Sequence, residues 1–158
     1  MHSSQFRSLT GALILMTGLC LLPQVIEAEW SHDPGENVPI SVKPYNQESV
    51  ICVSDGAGGA IMVWVDYRSG SYSDVYTQRV DASGTPLWAA DGVAACAADG
   101  HQGHVEMVAD GNGGAFIVWL DWRSVNPGIY IQQVNSGGVP QWTTNGVALS
   151  TLSGTLGY

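Results

Sequence analysis

The sequence is short of charge. Lysines and arginines number 5 against 14 aspartates and glutamates in 158 residues, and charged residues make up only 12%. Lys43 is the single lysine, and the formal net charge is −9. Such a surface repels DNA, RNA and anionic lipid, which argues against nucleic-acid binding and electrostatic membrane attachment. Cysteine is scarce too: Cys20, Cys52 and Cys96 are too few for an ordered disulfide framework. Long apolar runs are nearly missing. The run Leu13–Leu22 is too short to span a membrane, and Arg7 before it and Pro23 after it give it the form of a secretory signal. Residues 1–28 are therefore expected to be a signal peptide cleaved at Ala28, with an uncleaved anchor as the alternative. Cys20 raises lipidation, but Leu19 stands where a small residue is needed. The mature chain is expected to be secreted, periplasmic or on the cell surface, with no membrane span. Export makes a Cys52–Cys96 disulfide permissible, although two small, buried, unpaired thiols fit their unequal positions better.

Recognisable catalytic patterns are absent as well. There is no G-x-S-x-G elbow and no Cys–His pattern, and a phosphate loop would need a lysine and a following helix. Paired carboxylates exist, Glu106 and Asp110 among them, but a glycosidase needs a set separation in space. Once residues 1–28 are removed, Arg68, Arg79 and Arg123 are the only arginines, too few for a sialidase-like cluster.

What the chain has is glycine, tryptophan and self-similarity. Gly reaches 20 and Trp 6, and Val, Ile, Tyr and Thr recur in the repeated segments, a composition of strands and turns. "DGAGGAIMVWVDYRS" from Asp55 matches "DGNGGAFIVWLDWRS" from Asp110 at an offset of 55. "VYTQRVDASGTPLWAADGVA" from Val75 matches "IYIQQVNSGGVPQWTTNGVA" from Ile129 at an offset of 54. A partial copy precedes them: "NVPIS" (Asn37–Ser41) aligns with "GVAAC" (Gly92–Cys96), and Gln47 with Gln102. The expected organisation is a partial unit at 29–54, a first repeat at 55–109, a second at 110–149, and a tail at 150–158.

One unit reads as four short strands. Val105–Ala109 is the first, Ala115–Asp121 the second, Ile129–Val134 the third, and Val139–Trp142 begins the fourth, which Pro140 places at an edge. Both faces of Ala115–Asp121 are largely apolar, so this strand is expected to be covered on both sides. Four antiparallel strands in about 54 residues match a propeller blade. A β-solenoid would need shorter coils, and a sandwich would not repeat so regularly. The fold class is thus all-β, with two to three blades of an incomplete β-propeller. Two blades cannot close a ring, so either the chain is a fragment of a longer protein or copies associate through open blade faces. Three copies would supply six blades.

The unit "DGxGGAxxVWxDxRS…xYxQxVxxxGxPxWxxxGVA" resembles a repeat of large secreted bacterial proteins of β-propeller type. The resemblance covers about Trp30 to Leu149 and implies the fold, but it brings no common activity and no functional residues. "VDASGTPLW" has the ingredients of a sialidase Asp-box with one residue too many, and reads as a propeller turn of similar style.

Candidate residues follow from what repeats and what does not. Asp66 and Arg68 recur as Asp121 and Arg123, and Trp64 and Trp88 as Trp119 and Trp142. Catalytic groups rarely repeat, so these read as structural. Trp122 stands where the first unit has Tyr67. Exposed beside Asp121 and Arg123, these two aromatics would make a sugar-stacking surface. His101 and His104 near Asp99 have a spacing that zinc sites use on helices, but they lie in a Gly-flanked loop. "DGNGG" could suggest calcium, which wants several oxygens in sequence. Asp110 stands alone before Asn112, so the stretch reads as a hairpin turn, with no cofactor expected and calcium as the alternative. The function expected is extracellular binding or scaffolding, of a carbohydrate or protein ligand, without catalysis. The alternative is a fragment of a propeller-type carbohydrate-active enzyme, a glycoside hydrolase or lyase.

Overall fold

The computed structural model describes residue 35 and residues 37–151. The expected signal peptide, Trp30 and most of the tail lie outside the described residues. Eight strands form two antiparallel sheets, with no helix among the described residues and hence none long and apolar enough to cross a membrane. Sheet I holds β1 (Gln47–Ser54), β2 (Ala60–Asp66), β3 (Asp74–Val80) and β4 (Val93–Cys96), in that order. Sheet II holds β5 (Gln102–Ala109), β6 (Ala115–Asp121), β7 (Gly128–Val134) and β8 (Val147–Thr151), also in order. The boundary between sheets falls between Cys96 and Gln102, so each sheet begins one strand before its "DGxGG" turn.

Those turns follow from their residues. Asp55 Oδ1 accepts hydrogen bonds from the amides of Ala57 and Gly59, each 2.8 Å, and Asp110 Oδ1 does the same for Asn112 and Gly114 at 2.8 and 2.9 Å. This is the Asx type of turn, in which a short carboxylate replaces backbone acceptors. The last glycine must be glycine: a Cβ at Gly59 or Gly114 would lie 2.1 or 2.3 Å from the carbonyl oxygen of Val80 or Val134. Register then matches from sheet to sheet, with Ala60 opposite Val80 and Ala115 opposite Val134. Each first strand bulges at one place, between Glu48 and Ile51 and between Gly103 and Glu106, where Ser49 and His104 have φ of 55° and 49°.

The fourth strand differs from expectation. Val139–Trp142 makes only an isolated bridge between Val134 and Pro140, and the fourth strands are β4 and β8. Pro140 has no N–H to give a ladder. The Gln132 side chain holds the segment instead, its Oε1 accepting from the Trp142 amide at 2.9 Å and its Nε2 donating to the Thr143 carbonyl at 3.0 Å. Gln78 does the same for Trp88 and Ala89.

The two sheets stack face to face. Ile61, Val63, Val65 and Val75 of sheet I pack against Ala115, Ile117, Trp119 and Val134 of sheet II, with Ala95, Cys96 and Val105 filling the seam. Trp88 closes one end. Its Nε1 donates to the Ser136 carbonyl at 2.9 Å, and its ring lies so close to Gly138 that a Cβ there would be 2.6 Å away. Cys52 and Cys96 are both free. Cys96 is buried, but Cys52 is exposed, which corrects the expectation of two buried thiols. Cys52 pairs with Met62 and Cys96 with Val75, positions on opposite faces of sheet I.

Candidate functional site

The end of each second strand carries a polar clamp. Strand alternation puts Trp64, Asp66 and Arg68 on one face, and Trp119, Asp121 and Arg123 likewise. Asp121 is 1% exposed and Asp66 0%. Trp119 Nε1 donates to Asp121 Oδ2 at 2.8 Å, Arg123 Nη2 donates to the same oxygen at 2.6 Å, and the Arg123 amide and Nε donate to Oδ1. Trp64, Asp66 and Arg68 repeat the set with the same partners. Each guanidinium also lies over a tyrosine ring, Arg68 on Tyr76 at 3.6 Å and Arg123 on Tyr130 at 4.0 Å. A further donation from Nη2 reaches the carbonyl of Asp91 or Asn145 in the turn before the fourth strand. Burial alone would raise the two carboxyls. The hydrogen bonds from arginine and tryptophan outweigh it and hold both below the ordinary range. Asp121 and Arg123 are thus occupied by each other and by the backbone, and Asp121 has almost no surface to offer a ligand.

Tyr67 and Trp122, on the opposite parity, come together at another place. Both line one cleft of about 490 Å³ between the sheets, joined by Glu48 and Ser49 at the β1 bulge, by His104 of sheet II and by His101 just before it. Trp122 is 36% exposed. Tyr67 donates its hydroxyl to Glu48 Oε1 at 3.1 Å, and Asn46 Nδ2 donates to Glu48 Oε2 at 2.8 Å, so the carboxylate is oriented from two sides. Burial, and then the Glu48 carboxylate, push the Tyr67 phenol up. The His104 ring sits 5.9 Å from that of Trp122, and His101 meets Tyr72 edge-on at 5.4 Å.

The cleft wall is built by backbone contacts between the sheets. The Gln102 amide donates to the Ser73 carbonyl at 2.8 Å, and the Ser73 hydroxyl returns a bond to the Gln102 carbonyl at 2.8 Å. Ser73 Oγ also lies 3.1 Å from His101 Nδ1. Gln102 lines the cleft while 0% exposed. Its Nε2 donates to the Gly100 carbonyl at 3.1 Å, but its Oε1 is the one buried side-chain polar atom without a hydrogen-bond partner among the described residues. A buried acceptor left open is costly, and such atoms call for a missing donor.

Sequence reasoning brought Tyr67 and Trp122 forward but attached them to Asp121 and Arg123. Glu48 and Ser73 stand in no motif, and Gln102 is marked in the sequence only as the repeat counterpart of Gln47. Glu48 and His104 sit at the bulges, and bulges re-aim side chains in ways that spacing does not announce. His101 and His104 face the cleft, and no group of three or more His, Cys, Asp or Glu suited to a metal occurs among the described residues.

No family model matches the chain, and neither a curated protein nor a solved structure matches it.

Proposed function

We propose that the chain is an exported β-propeller segment, its two sheets being successive blades, that binds an extracellular carbohydrate in the cleft between them without catalysis. The observation that carries this reading is the pairing of Tyr67 and Trp122 across one open cleft with a carboxylate, Glu48, oriented from two sides. Aromatic rings offer apolar area at low entropic cost and suit the C–H faces of a pyranose, while sugar hydroxyls donate to the exposed Glu48 carboxylate. Glu48 is the one carboxylate among the lining residues, whereas glycosidic hydrolysis calls for two across the scissile bond. That favours binding over turnover.

Titration calorimetry and glycan arrays with the intact chain test the proposal. Tyr67→Ala and Trp122→Ala are each expected to weaken oligosaccharide binding by at least tenfold, about 1.4 kcal/mol, with the fold retained. Arg123→Lys is expected to change it little. Absence of oligosaccharide binding by the wild-type chain, or binding untouched by both aromatic variants, would sink the assignment. Captured protein in place of glycan would move it to a protein ligand. The export half of the proposal predicts a mature N-terminus at Glu29, read by N-terminal sequencing after secretion.

A further inference from the structure

The sheets stack in one sense only. Sheet I turns Ile61, Val63 and Thr77 toward sheet II, and all three are 0% exposed. The corresponding face of sheet II bears Phe116, Val118 and Ile131, and an apolar groove of about 580 Å³ runs along it. Val108 on this face is 59% exposed, and Trp142 is 39% exposed where its counterpart Trp88 is 8%. Sheet II meets sheet I with its other face, where Val105 is 4%, Ile117 0% and Trp119 1% exposed. The corresponding face of sheet I points outward. There Val50, the counterpart of Val105, is 61% exposed, and a second groove of about 230 Å³ lies between Ile40, Val50, Met62 and Trp64.

The chain therefore displays the cover for each of its own open faces. The outer face of sheet II is the kind that sheet I buries, and the outer face of sheet I is the kind that buries it. We propose that a second copy of this chain covers the outer face of sheet II with the outer face of its own sheet I, so that copies join head to tail. The internal junction supplies the pattern of contacts. Cys96 Sγ accepts from Arg123 Nη2 at 3.2 Å and the Ala97 amide donates to Asn145 Oδ1 at 3.0 Å. Their counterparts Ser41 and Val42 meet Arg68 Nη2 at 3.5 Å and Asp91 Oδ1 at 2.8 Å. Residues 41 and 42 thus hold, on sheet I, the place that a docking copy's β8 takes, and residues 37–42, which belong to no strand, yield to it. A contact between two different faces does not close as a dimer. It grows to a ring or a filament according to the rotation per copy. This inference shares the stacking geometry with the proposed function and does not depend on the ligand of the cleft.

Sedimentation equilibrium of the full chain from micromolar to millimolar, at moderate salt to screen copies carrying −9 each, tests it. The wild-type protein is expected to gain mass with concentration beyond a dimer. Val50→Asp and Val108→Asp alter exposed positions on opposite outer faces, and each is expected to remain monomeric with unchanged circular dichroism. Mixed, the first retains a sound sheet II face and the second a sound sheet I face, so the mixture forms a heterodimer and nothing larger. A wild-type monomer at every concentration overturns the proposal. So does assembly retained by Val50→Asp alone, which would mean like faces pairing. Loss of glycan binding by the cleft variants with assembly intact would leave this inference standing and separate the two readings.

Discussion

Trp88 and Trp142 occupy corresponding places, yet the first is buried under a neighbouring turn and the second lies open. Around them the two sheets agree in nearly everything internal. The clamps at Asp66 and Asp121 have the same donors at nearly the same distances, and the glutamines at 78 and 132 hold the same segment. The sheets diverge where one touches another. Val53 and Ile61 lie under sheet II, while Val108 and Phe116 lie at the groove. Contacts within a sheet are thus written in its own fifty-odd residues, and the burial of its faces is set by whatever stands next to it. Internal differences exist too: Arg79 pairs with Asp55 where Gln133 stands beside Asp110, and, as the exception that concerns a lone charge, Asp74, opposite Asp66, has Gly128 as its counterpart opposite Asp121. Burial pushes the Asp74 carboxyl up to about 6, with the Asp66 charge adding to it.

The largest expected effect tests the agreement. Asp66→Ala and Asp121→Ala each leave a half-buried guanidinium and a buried indole N–H without their carboxylate, and each is expected to cost about 3–5 kcal/mol in urea unfolding. The two costs should be equal within about 1 kcal/mol if the clamp works inside each sheet. Both carboxyls are held below their ordinary value, so the clamp is at full strength above about pH 4 and weakens as pH falls further. The next test addresses the difference. Trp88→Ala is expected to cost about 3–5 kcal/mol, and Trp142→Ala about 1 kcal/mol in dilute solution. Equal costs at low concentration would refute the contrast between covered and open faces. The smallest effect belongs to the exception. A carboxyl whose folded pKa is raised opposes folding once it ionises, and that opposition disappears as pH falls toward 4. Asp74→Asn is therefore expected to stabilise the protein by about 1 kcal/mol near pH 7–8, where the Arg68 charge offsets part of the cost of the ionised carboxyl. The gain should vanish near pH 4. A gain that is flat across this range would remove Asp74 as its source.

Much of this was legible in the sequence for local reasons. The apolar run Ala115–Asp121 marks β6 over the same residues, and Asp110 with its glycines marks the turn before it. The shared face of Asp66 and Arg68 followed from a spacing of two. The fourth strand was not legible, because Val139–Trp142 has strand-like residues but is held by a glutamine side chain from a neighbouring strand. The cleft was half legible. Its aromatics stand in the repeated pattern, but Glu48 is aimed by a bulge, and Gln102 becomes a cleft residue only when two sheets meet. Cys52 was misjudged because its strand leaves one face of sheet I open, which no spacing within that strand records.

The end of β4 reaches beyond its own sheet: Cys96 and Ala97 bind Arg123 and Asn145 of the next. Arg123 and Asn145 are in turn the counterparts of Arg68 and Asp91 in the sheet to which β4 belongs. A gene segment encoding one such unit therefore encodes both halves of the joint. Tandem duplication of that segment would deliver a new unit with its attachment already made, and no fresh interface would have to evolve.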